Sequence, residues 1–269
     1  MTAVQVPARA TATIVMASFV GLVAFLWPFV VAPGTFGAAE TPPLMFGALL
    51  VLVLAVVFAE IADRRIDAKA LAMLGVLSAI NAALRPLGAG TAGIETVFFV
   101  LVLAGRVFGP GFGFALGCTS LFASALLTGG VGPWMPYQMF GCAWVGMLAG
   151  LLPKASGKAE IALLACYSAV SGYLFGFMLN LSFWPFSLDP ASSIAYQPGL
   201  PLLEQFQRYF AFFTVTSLGW DTGRAVTTAI LVTLTGPAVL GAFRRAARRA
   251  NFHTTPSFEP ARRGADRGA

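Results

Sequence analysis

Thr128-Gly-Gly-Val-Gly-Pro-Trp-Met-Pro-Tyr-Gln138 is a tight, uncharged connector between two apolar runs. Its glycines and prolines keep regular helix out, because proline removes an amide donor and glycine leaves the backbone unconstrained. The runs on either side, Phe112 to Leu127 and Pro136 to Leu152, are long enough to cross a bilayer. The connector therefore reads as a turn at a membrane surface, presenting Trp134, Tyr137 and Gln138 at the mouth of the second run.

Working outward, the pattern repeats. Further spans run from about Thr13 to Val31, Leu44 to Ile61, Ala70 to Leu84, Ile94 to Phe108, Ile161 to Phe183 and Thr222 to Phe243. The first is preceded by a weak charged region and followed by a poor cleavage site, so it reads as an uncleaved helix rather than a signal peptide. A shorter apolar piece near 206–218, interrupted by Gln207 and Arg208, reads as an interfacial or re-entrant helix on the outer side. Only 10% of the 269 residues are charged and 58% are hydrophobic. Soluble domains carry about 25% charge, so a water-soluble globule is excluded. The alternation of a transmembrane barrel is missing. The expected fold is an all-α integral membrane protein: a two-helix membrane extension over 1–68, a six-helix core over 69–245, and a basic, disordered tail over 246–269.

The formal charge of +6 comes from short loops and the tail, which points to topology rather than to nucleic acid. Arg64, Arg65, Lys69, Arg106, Lys154, Lys158 and Arg244 onward fall on one side if the N-terminus is cytoplasmic. The other side carries Arg85, Arg208 and Arg224 against more numerous acids. Both termini are thus expected in the cytoplasm and the Thr128–Gln138 turn outside, in a multi-pass cell-membrane protein.

Hydrogen-bonding side chains inside apolar spans are functional candidates by default. In the last six spans these are Asn81, Glu95, Gln138, Asn180, Asp221 and Arg224, all in the outer half. Arg106 sits at the cytoplasmic boundary, where it can snorkel. The arrangement describes a cup open to the outside over an apolar floor. Trp134, Tyr137, Trp184, Phe186, Tyr196 and Trp220 share that outer boundary, where an ordinary interfacial belt is an equal alternative to ligand contact. Asp221 and Arg224, at i and i+3, fit a mutual ion pair at a helix start, with ligand contact the alternative. Small residues repeat every four positions at Gly75/Ala79/Ala83, Cys142/Gly146/Gly150, Ser168/Gly172/Gly176/Asn180 and Ala225/Ala229/Thr233. Close helix packing inside the bundle explains such stripes, and an intersubunit face is the alternative for at least one.

Cys118, Cys142 and Cys166 read as small buried hydrophobes, and His253 lies in the polar tail, so no metal site is expected. No cofactor is expected either. No phosphate-binding loop occurs, the Gly109–Gly113 run lacks dinucleotide-site spacing, and no paired carboxylates suit acid–base chemistry. The chain does not read as an enzyme.

Four runs carry a family resemblance: Leu77-Ser-Ala-Ile-Asn-Ala-Ala-Leu-Arg85, Arg106-Val-Phe-Gly-Pro-Gly-Phe-Gly-Phe-Ala-Leu-Gly117, Gly129-Gly-Val-Gly-Pro-Trp-Met-Pro-Tyr-Gln138 and Ser217-Leu-Gly-Trp-Asp-Thr-Gly-Arg224. With their order and the helix count, Ala70 to Arg249 resembles the substrate-binding S components of energy-coupling factor (ECF) transporters. The resemblance implies a vitamin-like small molecule held between the outer helix ends, here by Asn81, Arg85, Glu95, Trp134, Tyr137, Gln138, Asn180, Trp184, Trp220, Asp221 and Arg224. It also implies a transmembrane coupling subunit and two cytoplasmic ATPases as partners, with Gly75, Ala79 and Ala83 facing the coupling subunit. The family picture has the subunit topple in the membrane to deliver its ligand. A stand-alone secondary transporter is the alternative, although it favours internal repeats and midplane charges that the sequence lacks. A membrane enzyme acting on lipid or isoprenoid ranks below it.

Overall fold

Among the described residues the regular elements are helices, joined by short turns apart from a longer connector over 188–201. The computed structural model describes residues 8–30, 47–48, 50–52, 54–55, 68–88 and 93–250. Its helices are α1 (Ala8–Phe25), α2 (Trp27–Val30), α3 (Ala68–Gly88), α4 (Val97–Phe108), α5 (Pro110–Thr128), α6 (Met135–Leu151), α7 (Gly157–Ser187), α8 (Leu202–Thr216) and α9 (Leu218–Ala250). Among the described residues there is no strand. The expected second span, Leu44 to Ile61, lies largely outside the described residues, but Leu50 and Leu54 are helical and join the main core. The tail from 251, with His253, also lies outside them.

Helices α3, α5, α7 and α9 are each long and apolar enough to cross a membrane. The α4 helix has only 12 residues, too few to span alone, yet nearly all are buried. It is enclosed by α3, α5, α6, α7 and α9, so its polar backbone ends are shielded by protein rather than by its own length. The closest helix pairs are α5 with α6 and α7 with α9, and α1 docks across α6 and α7.

Turn chemistry fixes the ends. Gly109 joins α4 to α5 at φ 105°, a backbone that side chains resist, and Pro110 then opens α5. At the far end Gly129 adopts the left-handed conformation and caps α5 with its N–H on the Ala125 carbonyl.

Two of the four small-residue stripes prove internal, and the Ala225/Ala229/Thr233 stripe is internal at Ala225 but exposed at Thr233. Gly146 meets the Gly113 backbone, Gly150 meets Gly109 and Pro110, and Gly172 meets Ala225. A methyl at Gly146 would overlap the Gly113 carbonyl, so α5 and α6 approach at backbone contact. The fourth stripe behaves differently. Gly75, Ala79 and Ala83 lie exposed on α3, and nothing stands within 4 Å of a side chain built at Gly75.

Other expectations need correction. The last helix begins at Leu218, not Thr222, and runs to Ala250, so residues 246–250 are helical rather than tail. Cys118 and Cys142 are buried, but Cys166 is exposed on the outer surface of α7, where an apolar thiol suits contact with lipid. Arg106 does not snorkel. Its side chain is 9% exposed and pairs with buried Glu160 at 2.8 Å. It also donates to the carbonyls of Leu152, Pro153 and Ala155, closing the C-terminal end of α6. Arg244 reaches the same carboxylate at 2.7 and 2.8 Å, so one acid ties α4, α7 and α9 together. The end of the bundle expected to be an apolar floor therefore carries a charged cluster.

Candidate functional site

At the opposite end of the bundle, five helix ends deliver polar side chains to one place. It is called the outer end here, after the charge asymmetry of the loops. The last turns of α3 bring Ser78, Asn81 and Arg85, which face a row of hydroxyls on α5. Ser78 bonds Thr119 at 2.6 Å, Asn81 Nδ2 donates to Ser120 at 3.0 Å, and Arg85 reaches Ser124 at 3.5 Å. Arg85 also approaches Gln138 Oε1 at 3.4 Å, which brings the first turn of α6 into the cluster.

The connector before α4 adds Glu95. It is anchored by Thr96, whose hydroxyl donates to the Leu84 carbonyl at 2.6 Å. Gly93, at φ 76°, lets that connector lie against the Trp220 backbone. The charges of Arg224 and Arg85 both bear on Glu95. From α9 comes Arg224, paired with buried Asp221 and lying over the rings of Phe98 at 5.7 Å and Phe175 at 5.1 Å. Gly176 of α7 makes the niche for Asp221, since a methyl there would overlap the carboxylate. One turn on, Asn180 donates to Ser217 at 2.5 Å.

Much of this hydrogen-bonding capacity has no protein partner. Asn81 Oδ1, Glu95 Oε1, the Tyr137 hydroxyl, Asp221 Oδ2 and Arg224 Nε are all buried and unpartnered. An unpartnered buried polar atom costs about 1–3 kcal/mol, more when charged. Four of them, on Asn81, Glu95, Asp221 and Arg224, belong to the polar cluster, and the fifth, on Tyr137, lies at the same helix end as Gln138; together they describe a surface shaped to bond something else. Two arginines face two carboxylates, so the set balances in charge.

The sequence-predicted residues thus divide. Asn81, Arg85, Glu95, Gln138, Asp221 and Arg224 come together, with Asn180 at the edge, while Tyr137, next in sequence to Gln138, is buried against Phe25 and Phe183. The Asp221–Arg224 ion pair exists and still leaves one atom of each residue unused. Trp134 and Trp220 stand 43% and 49% exposed at the rim. Trp184 departs from its expected role in ligand contact. It is fully buried in an aromatic cluster with Tyr209 and Phe212, and its indole N–H already donates to Ile194 at 2.9 Å.

Sequence reasoning missed Thr119, Ser120, Ser124, Phe98, Phe175 and Ser217. The hydroxyls had a signal: positions 120 and 124 share a helix face, as 78, 81 and 85 do, which marks facing polar seams. The phenylalanines had none, since they read like any core residue.

The family model described as "ECF transporter, substrate-specific component" matches residues 69–239, more than half of the chain. No curated protein matches, and no solved structure does.

Proposed function

The chain belongs to the family of ECF transporter substrate-specific components, and we propose that its outer polar cluster captures a vitamin-like small molecule. The chain is a multi-pass membrane subunit of such a transporter. One observation carries the proposal: the five unpartnered buried polar atoms of Asn81, Glu95, Tyr137, Asp221 and Arg224. A ligand with donors for three of them and acceptors for two, and with a flat apolar face for Phe98 and Phe175, would satisfy the set. Charge balance favours a neutral or zwitterionic solute over a multiply charged one.

Delivery follows from the same reading. The coupling subunit meets the exposed Gly75/Ala79/Ala83 stripe of α3, and two cytoplasmic ATPases drive release inward. In this reading both termini lie in the cytoplasm, the side that the lysine and arginine bias of the loops favours. Smallness at 75, 79 and 83 lets a partner helix approach closely.

The test is thermal unfolding of the purified subunit across a panel of water-soluble vitamins. A ligand present at a hundred times its Kd stabilises by about 2.7 kcal/mol and moves the transition upward. A stabilising compound should lose its effect with Asp221→Asn or Glu95→Gln. If no compound on the panel shifts the transition, capture of a vitamin-like solute fails.

A further inference from the structure

We propose that the groove between the first turns of α7 and the last turns of α9 seats one anionic phospholipid. Its phosphate would lie on Lys158 and Arg244, and an acyl chain on Ile161, Ala162, Pro237 and Leu240. The groove has a volume of about 790 Å³ and is lined by these six residues together with Gly157, Glu160 and Thr233.

Position comes first. The α9 helix has 33 residues, a length of about 50 Å against a hydrocarbon core of about 30 Å. Its basic last turns therefore emerge at headgroup level, and the groove lies where the helix leaves the apolar layer. Charge comes second. Arg106 and Arg244 hold the single carboxylate of Glu160, and Lys158, on the same groove, has no ion pair among the described residues. Arg244 remains 44% exposed although it holds Glu160, so part of its guanidinium faces outward.

Shape comes third. The groove face continues toward the outer end as Cys166 and Val170 on α7, and as Ile230 and Val226 on α9. All four are exposed, giving an apolar track one acyl chain can follow. A basic seat between membrane helices at their cytoplasmic ends is the pattern that recognises acidic headgroups. A soluble anion would find the cations but gain nothing from the track, so the lipid is favoured over free phosphate. A partner helix would have to bury Lys158 without a counter-charge and cover the exposed part of Arg244, which disfavours it.

The experiment titrates the full-length protein in detergent with phosphatidylglycerol or phosphatidylcholine and counts bound lipid by native mass spectrometry. Phosphatidylglycerol should be retained about tenfold better, and Lys158→Glu should remove most of that preference. Ala162→Trp fills the groove while keeping every charge, and should also lower retention. Thermal unfolding of both variants verifies that they fold. Millimolar glycerol phosphate should not displace the lipid. Equal retention of the two lipids, a preference unchanged in Lys158→Glu, or displacement by glycerol phosphate would each overturn the proposal. So would a coupling subunit that crosslinks to Ala162→Cys and excludes lipid from the groove. None of these results bears on ligand capture at the outer end.

Discussion

Tyr137→Phe separates stability from binding and tests the meaning of the unpartnered atoms. The ring is fully buried, set edge-on to Phe25 at 5.1 Å and near Phe183 at 6.1 Å. Phenylalanine keeps both contacts and removes one atom, a buried hydroxyl without a protein partner. In the ligand-free protein that deletion loses no hydrogen bond and relieves a desolvation cost of about 1–3 kcal/mol. The ligand-free variant should therefore be as stable as the parent or more so. With ligand present the sign reverses. A neutral hydrogen bond contributes about 0.5–1.5 kcal/mol, so affinity should fall about two- to tenfold. Chemical unfolding in detergent, with and without the stabilising solute, reads both quantities. A ligand-free variant less stable by more than about 1 kcal/mol would mean that the hydroxyl already serves the fold, the usual outcome when a buried bonded group is deleted. Unchanged affinity would remove Tyr137 from the site.

At the inner end, Glu160→Ala strands Arg106 and should destabilise the bundle by about 3–5 kcal/mol in reversible unfolding. The double variant Arg106→Met/Glu160→Leu should lose clearly less than the two singles combined, and strict additivity would mean the pair is not coupled. Gly146→Leu forces a side chain into the Gly113 backbone and should cost about 1–3 kcal/mol or block folding, read by near-ultraviolet circular dichroism. Ala79→Trp on exposed α3 should leave unfolding and ligand binding intact while abolishing uptake in cells carrying the full transporter. Parallel loss of binding and uptake would make that stripe part of the fold.

What could be read from the sequence was whatever is local. Gly129, Gly130, Pro133 and Pro136 mark their turn without help from the rest of the chain, and apolar runs announce helices by length alone. The outer polar set was also visible. Asn81, Glu95, Gln138 and Asp221 sit at helix ends that an antiparallel bundle must bring to one side. Pairings between distant segments were hidden. Glu160 reads as an ordinary first-turn acid, and nothing nearby points to Arg106 or Arg244, which lie 54 and 84 positions away. Four small-residue stripes look alike in sequence, and only the packing separates those met by neighbouring helices from the one on α3 that is exposed throughout. Trp184 shows the same limit. A tryptophan near a helix end fits a lipid belt, a ligand wall or a core, and the free carbonyl of Ile194 decides for the core.

The central claim is that the outer polar cluster is a ligand site. Native mass spectrometry of the subunit, purified gently from cells grown in rich medium, tests it most directly. The account predicts a bound small molecule at one per chain, lost or strongly depleted in Glu95→Gln and reduced in Tyr137→Phe. A parent protein that carries no small molecule and takes up none from a vitamin mixture would contradict it, as would a bound solute retained equally by both variants.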